Sequence, residues 1–487
     1  MGFTRITQPF ISDNFVGGSI DEGAVSDFLL PRNACRKAIN VRFDVPLGGI
    51  TQRKGTTILG TDKVNGSNAV VGLYNFRDAG SGSNNQMLAV ANGTVRYLNG
   101  SSVWTNTLTG DTAGLATRFV TYLDLVVRMN GTDAAKSWDG DTGAAWVTTG
   151  GNLDVGNWPS GTKFAIVFNG RIYATGATAA PDRLYACSIP SAGAISWTSG
   201  NFNVDVNPQD GMNITGIATT GDIILIFKDR AMYRWKGAAG GDPNQLINIG
   251  TPSHNSIVRT DQGPIYFFGR GLNSVGFYRT TGGYPELISR TKQDWVDAIS
   301  PSYYGTIAGF CDANNVYWSI GSVTVDSKTY TNAWYVFNLT TETSTIFSFD
   351  DRFQAFSPYI LSTGEVTLIG GDTDGHAQTL FSGTTDNAVA VNFEAELPPM
   401  YFTGRERVKS VNEICAFTKK PNGIHLYMKA DDHSPVLLGR IDDREQRFTN
   451  LNLRGRKFYP IISGSNSQAV WTYEGHVVTD VIDEGTI

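Results

Sequence analysis

Six cationic side chains fall between residues 32 and 54: Arg32, Arg36, Lys37, Arg42, Arg53 and Lys54, with Asp44 as the single acid among them. Two shorter clusters lie far down the chain. One is Arg405, Arg407 and Lys409; the other is Arg454, Arg456 and Lys457, within NLRGRKFY. Cationic groups at this density attract a polyanion or the acidic face of a partner subunit. Gly455, between two arginines, permits a bulge or a close backbone approach. The first six are candidate docking residues, and the other two clusters are a candidate interface on the C-terminal part of the chain.

Patterns for covalent or metal chemistry are absent. There is no nucleophile elbow, zincin helix or P-loop. Gly269-Arg270-Gly271 reaches Ser274 where a dinucleotide fingerprint needs a third glycine, and it lies between strands. The five histidines (His254, His376, His425, His433 and His476) show no i,i+4 spacing. His425 and His433 could ligate a metal together, but on neighbouring strands they read as surface polar groups. Asp372-Thr373-Asp374-Gly375 opens like a calcium loop but lacks its closing glutamate. The run from Ser137 to Trp146 loosely matches an Asp-box with its spacing spoiled. Both read as Asp-Gly turns. The expectation is a non-enzymatic chain with no cofactor and no metal.

Composition narrows the class. The 487 residues carry a net charge of −6, which argues against a chain that coats nucleic acid non-specifically. No apolar run approaches the length of a membrane span, and MGFTRITQPFISDN lacks a signal-peptide pattern. Four widely spaced cysteines (Cys35, Cys187, Cys311 and Cys415) read as reduced and mostly buried. With 55 glycines and 11% aromatics, the chain favours short strands and turns over long helices.

The elements that must position the cations follow from a repeated theme. A Gly/Asn/Asp turn, a β-branched or aromatic strand, a second turn and a strand ending in an aromatic recur seven times between residues 66 and 390. GDIILIFKDRAMYRWKG (221–237) is the clearest copy. A spacing of about 40 to 50 residues is that of propeller blades, which bury their apolar faces by radial stacking. The expected fold is all-β: an irregular propeller of six or seven blades over 66–390. Residues 391–487 alternate over longer strands and predict a β-sandwich. Residues 1–65 predict an N-terminal arm with a basic hairpin, INVRFDVPLGGITQRKGTTILG, turning at Pro46 and Gly48-Gly49. ELISRTKQDWVDAIS (286–300) predicts a short inserted helix capped by Ser289 with Trp295, Val296 and Ile299 inward.

The order of these pieces resembles a known family. Ala38-Ile-Asn-Val-Arg-Phe-Asp44, Gly48-Gly49 and Arg53-Lys54-Gly55-Thr56 are followed by GDIILIFKDRAMYRW, GPIYFFG, GFYR, GGYPELIS, NVYWSI, AWYVFNLTTETS and RGRKFY. Across roughly residues 32–475 this order is similar to the tail nozzle proteins of short-tailed bacteriophages, also called packaged-DNA stabilisation or tail tubular proteins. The resemblance implies a structural protein of the virion tail, assembled in the host bacterial cytoplasm. It implies a ring, expected to be a hexamer, below the portal and its adaptor, the head-to-tail connector. The ring would extend the DNA exit channel, retain packaged DNA, support its ejection and anchor fibres or tailspikes. A tail plug or needle and the passing double-stranded DNA are its further implied partners. The basic hairpin then becomes a docking surface for the adaptor or a neighbouring subunit, and reversal of Arg42 and Arg53 to Glu should block assembly. The alternative is a glycan-binding or glycan-cleaving, sialidase-like propeller.

Overall fold

The computed structural model describes residues 4–6, 8–21, 26, 29–43, 48–77, 85–239, 241–261, 263–361, 363–402, 405–421, 423–466 and 471–485. Its strands fall into seven small antiparallel meanders and two further sheets, one of them continuous with the last two meanders. The meanders are the blades: residues 70–108, 118–138, 164–205, 214–247, 258–287, 308–348 and 353–380. The protein is a seven-bladed β-propeller carrying a β-sandwich.

Seven interblade cores weld this ring. Strand Ile223–Lys228 of the fourth blade shows how. Ile224 and Ile226 join Phe164, Tyr173 and Leu184 of the third blade. Their neighbours Leu225 and Phe227 join Ile265, Phe267 and Tyr278 of the fifth. Successive strand residues point to opposite faces, and a blade is covered on both, so the strand reads as a continuous apolar run. The sixth and seventh blades meet through an aromatic cluster in which Trp334, fully buried, lies 4.3 Å from Phe349 and 5.5 Å from Phe310 by ring centroids.

Closure of the ring comes from the start of the chain. The seventh blade supplies three strands of its own, and Thr56–Ile58 adds the outer fourth, pairing antiparallel with Ala377–Leu380. Gly55 makes the approach possible: a Cβ there would stand 1.9 Å from the Thr385 carbonyl oxygen.

The sandwich draws on both ends of the chain. One sheet runs through Glu445–Phe448, Val408–Lys419, Thr472–Gly485, Ile50–Gln52 and Val41–Arg42, with Thr4–Ile6 and Phe10–Ser12 also paired to Thr472–Gly485. The other contains Lys37–Ile39, Val389–Glu396, Phe458–Asn466, Ile424–Ala430 and Val436–Ile441. Between them Phe15, Val41 and Ile50 pack with Ile414, Leu426, Trp471 and Tyr473. Residues before 60 therefore do not stand apart as a domain. The predicted hairpin forms only as Val41–Arg42 against Ile50–Gln52 and belongs to the sandwich edge. Asp44, Val45 and Pro46 of its expected turn lie outside the described residues.

Propeller and sandwich share a sheet. Lys37–Ile39 pairs in parallel with Ser344–Ser348 of the sixth blade and antiparallel with Val389–Glu396 of the sandwich. The predicted helix forms as a 3₁₀ turn, Arg290–Lys292, running into Gln293–Asp297, with Trp295, Val296 and Ile299 buried. Ser289 stands at the N-cap position, but its side chain caps no N–H of the turn. Its hydroxyl instead accepts the Phe277 N–H at 3.2 Å. Among the described residues no helix is long and apolar enough to cross a membrane. The cysteines are free, three buried and Cys311 partly so.

Candidate functional site

The two C-terminal basic clusters, about 45 residues apart in sequence, meet on one face of the sandwich. Strand Val408–Lys419 pairs antiparallel with Leu453–Gly455, setting Ser410 opposite Arg454 and Lys409 opposite Gly455. Asp431, at the end of Ile424–Ala430, accepts the backbone N–H groups of Arg456 and Lys457, each at 3.0 Å. This holds the turn that carries the cations. Gly455 fits tightly beneath it, because a Cβ there would lie 3.1 Å from that of Ala430 and 3.2 Å from an Asp431 oxygen.

Arg405, Arg454, Arg456 and Lys457 surround a groove of about 530 Å³ with Tyr401, Asp431 and Asp432. Four cations face two carboxylates, so the groove is positive on a chain whose net charge is negative. Arg405 lies over the Tyr401 ring at 4.4 Å. Arg454 is paired with Glu484 at 2.6 Å and Lys457 with Asp432 at 3.4 Å. Tyr401 and Arg405 also line an adjoining depression that contains exposed Arg32, Phe10 and Pro399. One member of the N-terminal cluster thus joins the C-terminal ones along the same edge.

Other predicted contact residues go elsewhere. Arg53 is completely buried. Its Nε donates to Asn40 Oδ1 at 2.8 Å, Nη1 to the Lys54 carbonyl at 3.0 Å and to Asp386 Oδ1 at 2.8 Å, and Nη2 to the Ser348 carbonyl and Asp386 Oδ2. All five N–H donors are used, and the guanidinium lies 3.8 Å from the Phe349 ring centre. Arg53 thus pins sandwich, sixth blade and ring closure together and offers nothing to a partner. Arg36 is buried against the Asp21 carbonyl at 3.4 Å, and Lys409 is fully buried. These three leave the docking surface, because their side chains are buried. Lys37 is half-buried and paired with Glu394 at 2.9 Å; Arg42 is half-buried; Lys54 is exposed. Arg407 pairs with Asp483 at 2.6 Å.

The acidic turns behave as turns. Asp139 accepts the Asp141 N–H, Asp141 accepts that of Gly143, and Trp138 stacks on Trp146 at 5.4 Å. Asp372, fully buried, accepts the N–H groups of Asp374 and His376 and the side-chain amide of Gln378. Among the described residues no group of three or more His, Cys, Asp or Glu side chains is placed to hold a metal ion.

One site has no sequence signal. Where the innermost strands converge, a cavity of about 220 Å³ is lined by residues of five blades and of the turn that precedes the fifth, among them Tyr74, Arg118, Phe119, His254, Asn255 and Phe356. Arg118 merely opens the short strand RFVTY, and His254 stands in a Pro-Ser-His-Asn turn, so neither is marked by spacing.

No protein-family model and no curated protein matches the chain. Solved structures do. A computationally designed protein, Ika8, aligns at a TM-score of 0.39 and 10% identity over 66% of this chain and 99% of its own. The Pan2 WD40 domain of Neurospora crassa aligns at 0.41 and 8% over 67% and 95%. The extracellular domain of BT4673, a putative one-component system of B. thetaiotaomicron, aligns at 0.42 and 11% over 92% and 63%. Likenesses this remote carry nothing about function, and the propeller rests on the strand pairing of this chain itself.

Proposed function

We propose that this chain is a structural protein of a short-tailed phage virion, a tail nozzle subunit that assembles with further copies into a ring below the portal and adaptor. The observation that carries the reading is the basic groove on the sandwich, built from segments around residues 32, 405 and 455 and mounted on a propeller that shares its sheet. A subunit that transmits load between a connector and fibres needs rigid coupling between its docking face and its body. Arg53 and the shared sheet supply that coupling. The groove then receives an acidic face of the adaptor or of a neighbouring copy. The propeller axis, with its cavity of about 220 Å³, has no room for a DNA duplex. The exit channel would run between copies, where repetition of an acidic chain multiplies a repulsive field.

The alternative, a glycan-cleaving propeller, calls for paired carboxylates at the propeller centre. The described lining of the central cavity holds one arginine and no Asp or Glu. The test is localisation. An antibody to the sandwich should label purified virions at or near the distal end of the tail in electron micrographs. Unlabelled particles, with the protein confined to the lysate and the epitope shown accessible, would overturn the proposal.

A further inference from the structure

The central cavity holds a cation that the protein leaves uncompensated. Arg118 donates Nε–H to Asn255 Oδ1 at 3.1 Å and lies over the Phe164 ring at 4.8 Å. Its four terminal N–H groups have no acceptor among the described residues, and no carboxylate pairs with it or lines the cavity there. Four fully buried cations behave differently: Arg53, Arg128, Lys228 and Lys292 each have an aspartate within 2.7 Å.

The neighbours of Arg118 are those of a ligand site. His254 packs on Phe164 at 4.5 Å, and its Nδ1 accepts the Ile217 N–H at 3.4 Å, so the neutral ring carries its proton on Nε2. Burial, and then the charge of Arg118, hold this histidine well below its ordinary range, which keeps it neutral. Burial also lowers Arg118, to about 10, so it remains charged at neutral pH. Phe119 stacks on Tyr74 at 5.4 Å and, with Phe356, gives the cavity an aromatic wall.

The geometry points to an anion-binding site on the propeller axis: Arg118 takes the carboxylate of a small organic acid whose apolar body lies against the aromatic wall. The guanidinium fork matches a carboxylate in two parallel hydrogen bonds. A volume of about 220 Å³ equals roughly seven waters at about 30 Å³ each, room for one ring and its carboxylate. The site stands on its own geometry and does not depend on the nozzle reading.

The test uses the full chain and 4-fluorobenzoate, followed by ¹⁹F NMR, with 4-fluorobenzamide as the neutral isostere. Saturable binding of one benzoate per chain is expected, with the amide at least about tenfold weaker, or roughly 1.4 kcal/mol. Arg118→Gln should weaken binding by a similar factor. Asn255→Asp supplies an internal carboxylate to Arg118 and should compete the ligand away in a chain that still folds, as its melting curve will show. Absence of saturable binding, equal binding of the amide, or undiminished binding by a folded Asn255→Asp variant each overturns the proposal.

Discussion

Replacing Arg53 with Met should cost the protein a large part of its stability. The side chain is fully buried, and so nearly is its partner Asp386. Removing one member of a buried ion pair leaves the other charge desolvated, a loss of about 3–5 kcal/mol. Arg53 also satisfies Asn40 and the carbonyls of Lys54 and Ser348, so the upper end of that range applies. Set against a total stability of about 5–15 kcal/mol, this threatens the fold itself. Urea unfolding of wild type, Arg53→Met, Asp386→Leu and the double variant would measure the coupling. We expect a coupling of at least about 2 kcal/mol, with the double variant more stable than additivity allows. The double should not regain wild-type stability, because the Lys54 and Ser348 carbonyls lose their donor from Arg53 and Asn40 Oδ1 keeps only the Ser348 N–H. A coupling below about 0.5 kcal/mol, the additivity limit for independent sites, would refute the keystone role. The same reasoning removes Arg53→Glu as a test of docking, since it would destroy the surface along with the fold.

Charge reversal belongs on the groove instead: under the proposed nozzle function, Arg405→Glu with Arg456→Glu should abolish binding to adaptor rings in sedimentation assays while leaving the melting temperature within about 1 °C, because exposed charges contribute little to stability. Gly55→Ala should destabilise by more than about 1–3 kcal/mol, since the added Cβ meets backbone at 1.9 Å and prevents seating of the closing strand; a variant as stable as wild type would refute that closure. His476 is fully enclosed, with its pKa lowered to about 4 by burial. The unfolded chain binds its proton near pH 6.5 and the folded chain only near pH 4, so stability falls as pH drops through that window, by up to about 3 kcal/mol. His476→Gln should flatten this acid limb in melting curves taken from pH 7 to pH 4, and an unchanged slope would count against it.

The blades were legible because each strand advertises itself. The seven repeated units fall on seven different blades, two of them running a few residues past the last strand, and GDIILIFKDRAMYRW shows why: its apolar run serves two interblade cores at once. The inward residues of the short helix were equally plain. What the sequence hid was long-range pairing by very short strands. Thr56–Ile58 is Thr-Thr-Ile, too brief for periodicity, and only its partners more than three hundred residues away make it a strand. For the same reason the first sixty residues read as an arm, although they complete two sheets. Charge was misleading at Arg53, because an arginine reads as surface unless its buried partner is known. The meeting of Arg405 with Arg454 and Arg456 could be listed from sequence as two clusters, but joined only by strand register. Arg118 and His254 had no pattern to find, since a propeller axis gathers one residue from each of many strands.

Closing the ring with residues 56–58 has a consequence for how the chain is made. The strand leaves the ribosome long before Ala377–Leu380 exists to receive it. At about 5–20 residues per second, the wait is roughly 15–60 s. Throughout it, Ile50–Gln52 also lacks the sandwich strand Thr472–Gly485, and Phe15, Val41 and Ile50 lack their core. Early strands with open edges are templates for wrong pairing. Synthesis, more than the finished fold, is therefore the vulnerable period: slowed translation or a crowded polysome should lower the yield of native protein, and a holding chaperone should raise it.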